Sequence, residues 1–350
     1  MFNTDLRLTF NISACSNKCL HCWAEGSPKR QFMDLATIKS LIPQIIETKE
    51  LFNGFFPFFF YEPSLHPDFL AILELFKENN LLPADYYIPT NGYKFGSFSD
   101  ADWQRFKRID PIALQFCVYG LETEHDEFAG RQGAFNDLVK AMQATDKQGV
   151  EWFTAIIVSR KNITQIAQIR DYFKKMFPHK SLGKFLYLYT GLTDRLGMIT
   201  KPEFEQLPEA ETAGMLKFYK TEKEQVAKVI DSPKLQMQPA ECSCRGVRLI
   251  IDTDLSVYCG SACDSGGVRS ALPESYQKEF LLGNLKEDSL AEIAKNYLAN
   301  PPRIIQELEK VTYHDLALKY GGDSEELYLL NNLFEVKYAA LYLRENYRLR

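Results

Sequence analysis

Two hydrophobic periods alternate along the first two hundred residues. Strand-like runs occur at LRLTFNI (6–12), FFPFFFYE (55–62), ADYYIP (84–89), IALQFCVYG (112–120), WFTAIIVS (152–159) and KFLYLYTG (184–191). Between them the apolar positions fall at helical spacing, which predicts helices over 34–48, 67–79, 99–108, 134–148 and 162–177. In the first, Leu35, Ile38, Ile42, Ile45 and Ile46 share one face, and Asp34 is the natural N-cap. In the fourth, Phe135, Leu138, Val139 and Met142 form the stripe. Pro57 cannot donate to a strand ladder, so the second strand is expected to begin only at Phe58.

Six strands alternating with helices predict a parallel sheet with right-handed crossovers. The pattern alone leaves open whether that sheet is flat or curls into a partial or full barrel. In either case ligands sit at the carboxyl ends of the strands. Cys15, Cys19 and Cys22 follow the first strand at that end, and Glu62, Thr90-Asn91-Gly92, Gly120 and Arg131 follow later ones. This α/β unit is expected over 1–195. A charge-rich helical connector over 196–240 is punctuated by Pro202, Pro208, Pro233 and Pro239. A cysteine-bearing module over 241–300 follows, and the segment 301–350 ends in LYLLNNLFEVKYAALYLREN, which has the pattern of an amphipathic helix docked on the body.

Composition narrows the chemistry. The chain has 350 residues, 45% hydrophobic and 25% charged, as in globular proteins, and a formal net charge of −5 without blocks of like charge. A nucleic-acid partner held by a strongly basic surface is therefore not expected. No apolar run is long enough for a membrane span, and MFNTDLRLTF lacks the layout of a secretory signal. The expected setting is a reducing cytoplasm, where disulfides are rare. That changes the meaning of the eight cysteines, which fall into Cys15, Cys19 and Cys22, a solitary Cys117, and Cys242, Cys244, Cys259 and Cys263. Clusters of this kind point to metal or iron–sulfur ligation.

In CSNKCLHC (15–22) a zinc ion would need a fourth ligand. His21 is available but neighbours Cys22, and both side chains can rarely reach one tetrahedral ion. Three thiolates can instead hold three irons of a [4Fe–4S] cluster, leaving the fourth iron open. In CSCRGVRLIIDTDLSVYCGSAC, a hairpin joined by Thr253-Asp254-Leu255 brings four cysteines together, enough for zinc or for a second cluster.

C-x3-C-x2-C directly after the first strand of a βα series resembles the signature of the radical S-adenosylmethionine (SAM) enzymes, and the resemblance extends from about residue 6 to 300. It implies a partial (β/α)6 TIM-like barrel, then a small Twitch-like β-hairpin and helix module and C-terminal helices. It implies a [4Fe–4S] cluster on Cys15, Cys19 and Cys22 whose open iron chelates SAM. SAM is then cleaved reductively to a 5′-deoxyadenosyl radical that abstracts a substrate hydrogen. Phe60-Tyr61-Glu62-Pro63 stands where the family has Gly-Gly-Glu-Pro, which makes Glu62 the acceptor for the SAM amino group. Thr90-Asn91-Gly92 matches the family's Thr-Asn-Gly turn, Thr90 and Asn91 being cofactor contacts. Cys117 occupies the place of a serine that touches SAM, and Tyr119 replaces an aspartate and is expected to face substrate; both are candidate catalytic residues. Arg131, in ETEHDEFAGRQGAF, is the expected partner of the SAM carboxylate, and His21 is expected near the adenine.

GNLKEDSLAEI (283–293) resembles the segment that follows the hairpin in SPASM and Twitch modules. The resemblance implies one auxiliary [4Fe–4S] cluster on cysteines drawn from Cys242, Cys244, Cys259 and Cys263. The expected activity is modification of a ribosomally made peptide by cross-linking, epimerisation, oxidation or excision. Dehydrogenation, epimerisation or cyclisation of a small metabolite is the second reading, and a non-catalytic metal-binding scaffold the third. Either enzyme would take electrons from a donor such as flavodoxin or ferredoxin. Tyr61, His66, Tyr119, Tyr187 and Tyr189 are the candidates for lining the substrate pocket.

Overall fold

The first apolar run forms β1 (Phe2–Phe10), a strand that starts four residues earlier than its hydrophobic pattern indicates. Its alternation buries Leu6, Leu8 and Phe10 and leaves Arg7 on the other side. The computed structural model describes residues 2–20, 22, 31–109, 112–180, 185–188, 198–207, 217–240, 246–260 and 267–349. After β1 come α1 (Leu35–Lys49), β2 (Phe52–Phe59), α2 (Phe69–Glu78), β3 (Tyr87–Thr90), α3 (Asp100–Arg108) and β4 (Ala113–Val118). Then follow α4 (Glu122–Ala129), α5 (Ala134–Lys147), β5 (Trp152–Val158), α6 (Ile166–Met176) and β6 (Phe185–Leu188). Asp34 caps α1 by accepting from the Thr37 N–H at 2.9 Å. Ser99 and Asp102 close a capping box on α3.

All strand pairs within this series are parallel: β1 with β2, and β3 with β4, β4 with β5 and β5 with β6. The ladder is interrupted between β2 and β3, giving a partial barrel of two sheets, not a closed one. That interruption explains Pro57. β2 runs from Phe52 through Pro57, contrary to the expected start at Phe58, because it is an edge strand and its outward N–H groups have no ladder to complete.

The cysteine-bearing hairpin is built into the barrel's own sheet. β8 (Val247–Ile251) pairs in parallel with β1, Leu6 opposite Val247 and Phe10 opposite Ile251. β9 (Ser256–Cys259) returns antiparallel to β8, and β10 (Leu281–Asn284) pairs with β9. The first sheet therefore has the order β10-β9-β8-β1-β2. Helix Leu290–Ala299 then starts at Ser289, which shares a capping box with Glu292.

Part of the connector joins the C-terminal segment. β7 (Tyr219–Thr221) pairs antiparallel with β11 (Leu327–Leu329), so the tail does not run as one helix from 327. The backbone of Leu327–Leu329 has a strand partner there, and Leu327 and Tyr328 are buried against it. A π-helical stretch, Asn332–Tyr338, and helix Ala339–Asn346 complete the chain's described fold. Among the described residues no helix is long and apolar enough to cross a membrane.

Candidate active site

Four connections, those after β1, β2, β3 and β4, converge beyond the carboxyl ends of the strands. The loop after β1 is stitched to its neighbours through its backbone: Asn11 N–H bonds to Ile251 O in β8 at 2.9 Å, and Glu62 N–H to Ala14 O at 3.2 Å. Ser13 Oγ, fully buried, donates to the Glu62 carbonyl at 3.0 Å. Further on, Lys18 N–H and Leu20 N–H bond to Ala129 O and Phe128 O at the end of α4, both at 2.9 Å. Gly130 follows with φ 63°, and a Cβ there would lie 2.7 Å from the Lys18 carbonyl. Only glycine lets the cysteine loop lie this close on the end of α4.

The three cysteines of the loop line a cavity of ≈ 170 Å³ together with Phe58, Phe60, Tyr61, Glu62, Pro89, Thr90, Asn91, Cys117 and Tyr119. A larger cavity of ≈ 440 Å³ lies at the opposite, amino ends of β3–β5, lined by residues such as Tyr86, Ile112 and Val150. Its lining also includes Asp85, Lys107 and Glu151 but no cysteine, so the thiols, and not size, identify the site.

Glu62 anchors the polar side. Its carboxylate is 1% exposed. It accepts from Ser64 Oγ, from the Asn91 N–H at 2.7 Å, and from Thr90 Oγ1, which stands 2.9 Å from both oxygens. Burial raises its pKa, and these donors, together with the Ser64 N–H, oppose that rise. Asn91 Nδ2 extends the network to Ser16 Oγ at 3.0 Å, and stands 3.7 Å from Cys15 Sγ.

On the other side, β4 turns Cys117 toward the cavity while its neighbours Phe116 and Val118 are fully buried in the core. Tyr119 Oη lies 3.7 Å from Cys19 Sγ. The ring of Tyr119 is stacked on Phe128 at 4.5 Å and tilted over His125 at 5.0 Å. Burial pushes the Cys19 and Cys117 thiols up to about 12 and the Cys15 thiol higher still. Tyr119 is raised well above its ordinary value, first by burial and then by the neighbouring cysteines.

No family model matches the chain. The curated Fe-coproporphyrin III synthase of Methanosarcina barkeri (strain Fusaro / DSM 804) is 22% identical over 165 residues, 45% of this chain and 38% of the relative, so the match spans well under half of that protein. Among solved structures, native anSMEcpe with bound AdoMet and Cp18Cys peptide superposes at TM-score 0.56 over 97% of both chains, with 17% identity. Streptococcus suis SuiB bound to precursor peptide SuiA superposes at TM-score 0.55 over 96% of this chain and 76% of SuiB, with 12% identity. The chain has the radical SAM fold.

The donor set of this site suits an iron–sulfur cluster better than a single metal ion. Among the described residues no three His, Cys, Asp or Glu side chains close on a single ion. A cubane cluster holds each thiolate on a different iron, so thiols spaced around a cavity suit it better than they suit one zinc ion. Among the described residues lining the cavity none is cationic. Buried thiols raised this far stay protonated until a cation arrives, and metal loading would release their protons. The residues present fit the group.

Arg131, expected at the SAM carboxylate, does not line this cavity but bridges the cysteine loop and α5. Its Nε donates to Asn17 Oδ1 at 2.8 Å, its Nη1 pairs with Asp137 at 2.7 Å, and the guanidinium covers the Tyr93 ring at 4.9 Å. Its Nη2 is buried with no hydrogen-bond partner among the described residues. His66 belongs elsewhere: its Nε2 bonds to Met33 O at 2.6 Å and its Nδ1 accepts from Asp68 N–H at 3.0 Å, so it holds its own loop. Cys259 is fully buried at the end of β9, with Sγ 3.5 Å from Phe280 O. His21, Cys242, Cys244, Cys263, Tyr189 and the Tyr187 side chain lie outside the described residues. Ser13, Ser64 and His125 were not anticipated as part of the site. Ser64 follows the Glu62-Pro63 pair directly, and His125 lies within ETEHDEFAGRQGAF.

Proposed function

We propose that the chain is a radical SAM enzyme that modifies a peptide. The observation that supports this most is the cavity in which the Cys15, Cys19 and Cys22 thiols face the Glu62–Thr90–Asn91 network. The bound cluster and SAM would supply reductive cleavage of the sulfonium and abstraction of a substrate hydrogen. The chain's own groups bind and orient. Glu62 is the acceptor for the SAM ammonium, with Ser64, Thr90 and Asn91 fixing the carboxylate. Arg131 offers Nη2 to the SAM carboxylate as a charge-assisted donor while Asn17 and Asp137 hold the rest of the fork. The Cys19 thiol donates to Tyr119 Oη at 3.7 Å, and once the sulfur is a metal-bound thiolate the hydroxyl would be the donor.

A peptide substrate is favoured because peptide complexes of this architecture are known: anSMEcpe with Cp18Cys peptide and SuiB with its precursor peptide SuiA. One auxiliary [4Fe–4S] cluster on Cys259 and its neighbours among Cys242, Cys244 and Cys263 would carry electrons to or from the site, supplied by a flavodoxin- or ferredoxin-like donor. Anaerobically reconstituted protein given dithionite and SAM is expected to release 5′-deoxyadenosine, and Cys19→Ala to reduce that release to background. Equal release by the variant would refute the assignment of the first cluster. Mass spectrometry of peptides encoded beside the gene, incubated with the enzyme, tests the substrate class. A metabolite product with unmodified peptides would reject it.

A further inference from the structure

Four non-glycine residues among those described have positive φ: Tyr61 (64°), Asn80 (54°), Glu122 (37°) and Leu255 (71°). Of these, Tyr61 alone lines the cavity. Asparagine adopts this backbone readily; a bulky aromatic does so at a cost. The conformation is fixed from both sides. Phe60 N–H bonds to Phe10 O at 3.0 Å, and Glu62 N–H to Ala14 O at 3.2 Å, so the chain must turn at residue 61 to bring the carboxylate to Thr90. Glycine would make that turn without strain. A ring retained where the backbone favours its absence calls for a role of the ring itself.

The surroundings indicate which role. The Tyr61 ring meets Phe60 edge-on at 5.0 Å, and Phe60 meets Phe58 at 5.8 Å. These three rings and Pro89 from β3 line the cavity shared with the thiols and the Glu62 network, and Arg269 lies close enough to Tyr61 to interact with it electrostatically. The rings stand where β2 and β3 do not pair, so no strand ladder closes the barrel at that point. We infer that Tyr61 is a specificity-determining residue: with Phe58 and Phe60 it forms the surface on which an apolar side chain of the substrate packs. This rests on the peptide reading proposed for the same site.

The test uses the reconstituted full-length chain and two blocked peptides of equal charge, Ac-Lys-Leu-Phe-Leu-Lys-NH2 and Ac-Lys-Ser-Asn-Ser-Lys-NH2, titrated calorimetrically without turnover. The apolar peptide is expected to bind at least about tenfold tighter. Tyr61→Phe should keep that preference, while Tyr61→Gly and Tyr61→Ala should cut it below about threefold. The alanine variant should also melt below the glycine variant, since both lack the ring and only alanine keeps a Cβ at positive φ. Equal binding of the two peptides by the unmodified chain would overturn the inference. So would a preference that survives Tyr61→Gly, or an alanine variant that melts at or above the glycine one. Failure of the enzyme reading shows separately, as absence of 5′-deoxyadenosine from the unmodified protein.

Discussion

His125 shows how a single side chain ties acid stability to the site. It is fully buried beneath Tyr119; its Nδ1 accepts the Tyr119 N–H at 3.3 Å, and its Nε2 has no partner among the described residues. Burial lowers its pKa from 6.5 to about 4, with Arg131 adding to the effect and Asp126 opposing it. The folded value lies below the unfolded one, so between these limits the unfolded chain binds more protons. Stability is unaffected by His125 above pH 6.5 and falls as pH drops through the window, by about 1.4 kcal/mol per pH unit. Between pH 7.5 and pH 5, urea unfolding should show about 2 kcal/mol lost through this group. His125→Phe keeps an aromatic ring between Tyr119 and Phe135 and should lose correspondingly less. Equal acid losses in the two proteins would rule out His125 as the source.

Elements carry the next level of control, and β8 is the most exposed to test. It lies between β1 and β9, with Ile250 opposite Thr9 on one side and Tyr258 on the other. Proline at 250 would remove a ladder bond in an interior strand, unlike Pro57, which sits on an edge. Ile250→Pro should cost about 3 kcal/mol or more in denaturant unfolding and lower iron retention at the first site, because β1 carries the cysteine loop. A cost under about 1 kcal/mol would mean that β1 does not depend on β8.

Local signals made much of this visible in the sequence: Asp34 before α1, the stripe of α5, and the order of strands and helices. What escaped was set by distant partners. Nothing near Pro57 announces an edge strand. The pairing of β8 with β1 joins residues some 240 positions apart. Leu327–Leu329 has the local pattern of the helix that follows, and β7 alone makes it a strand. Helix α4 is short and largely polar, so its periodicity is weak. At the site, the types and order of Cys15, Cys19, Cys22, Glu62, Thr90 and Asn91 were legible, whereas the left-handed turn at Tyr61 and the burial of His125 follow from packing.

For the whole molecule, the shared sheet determines how two metal sites would be placed. Cys259 pairs with Leu249, which in turn pairs with Leu8, so the end of β9 lies two strand spacings from β1. That separation is about 10 Å. An auxiliary cluster held by Cys259 would sit on the same sheet that carries the first cysteine loop, with β8 alone between β9 and β1. The auxiliary cluster is tested by replacing Cys259 and Cys263 together with serine. The serine hydroxyl at 259 can still donate toward Phe280 O, which the sulfur now approaches at 3.5 Å, so the core should tolerate the change. Iron should fall from about eight atoms per chain to about four. The first cluster should still change its electron paramagnetic resonance signal on addition of SAM. A folded double variant with unchanged iron would remove the auxiliary cluster, and a variant that lost all its iron would make Cys259 a structural prop of β8 and β1.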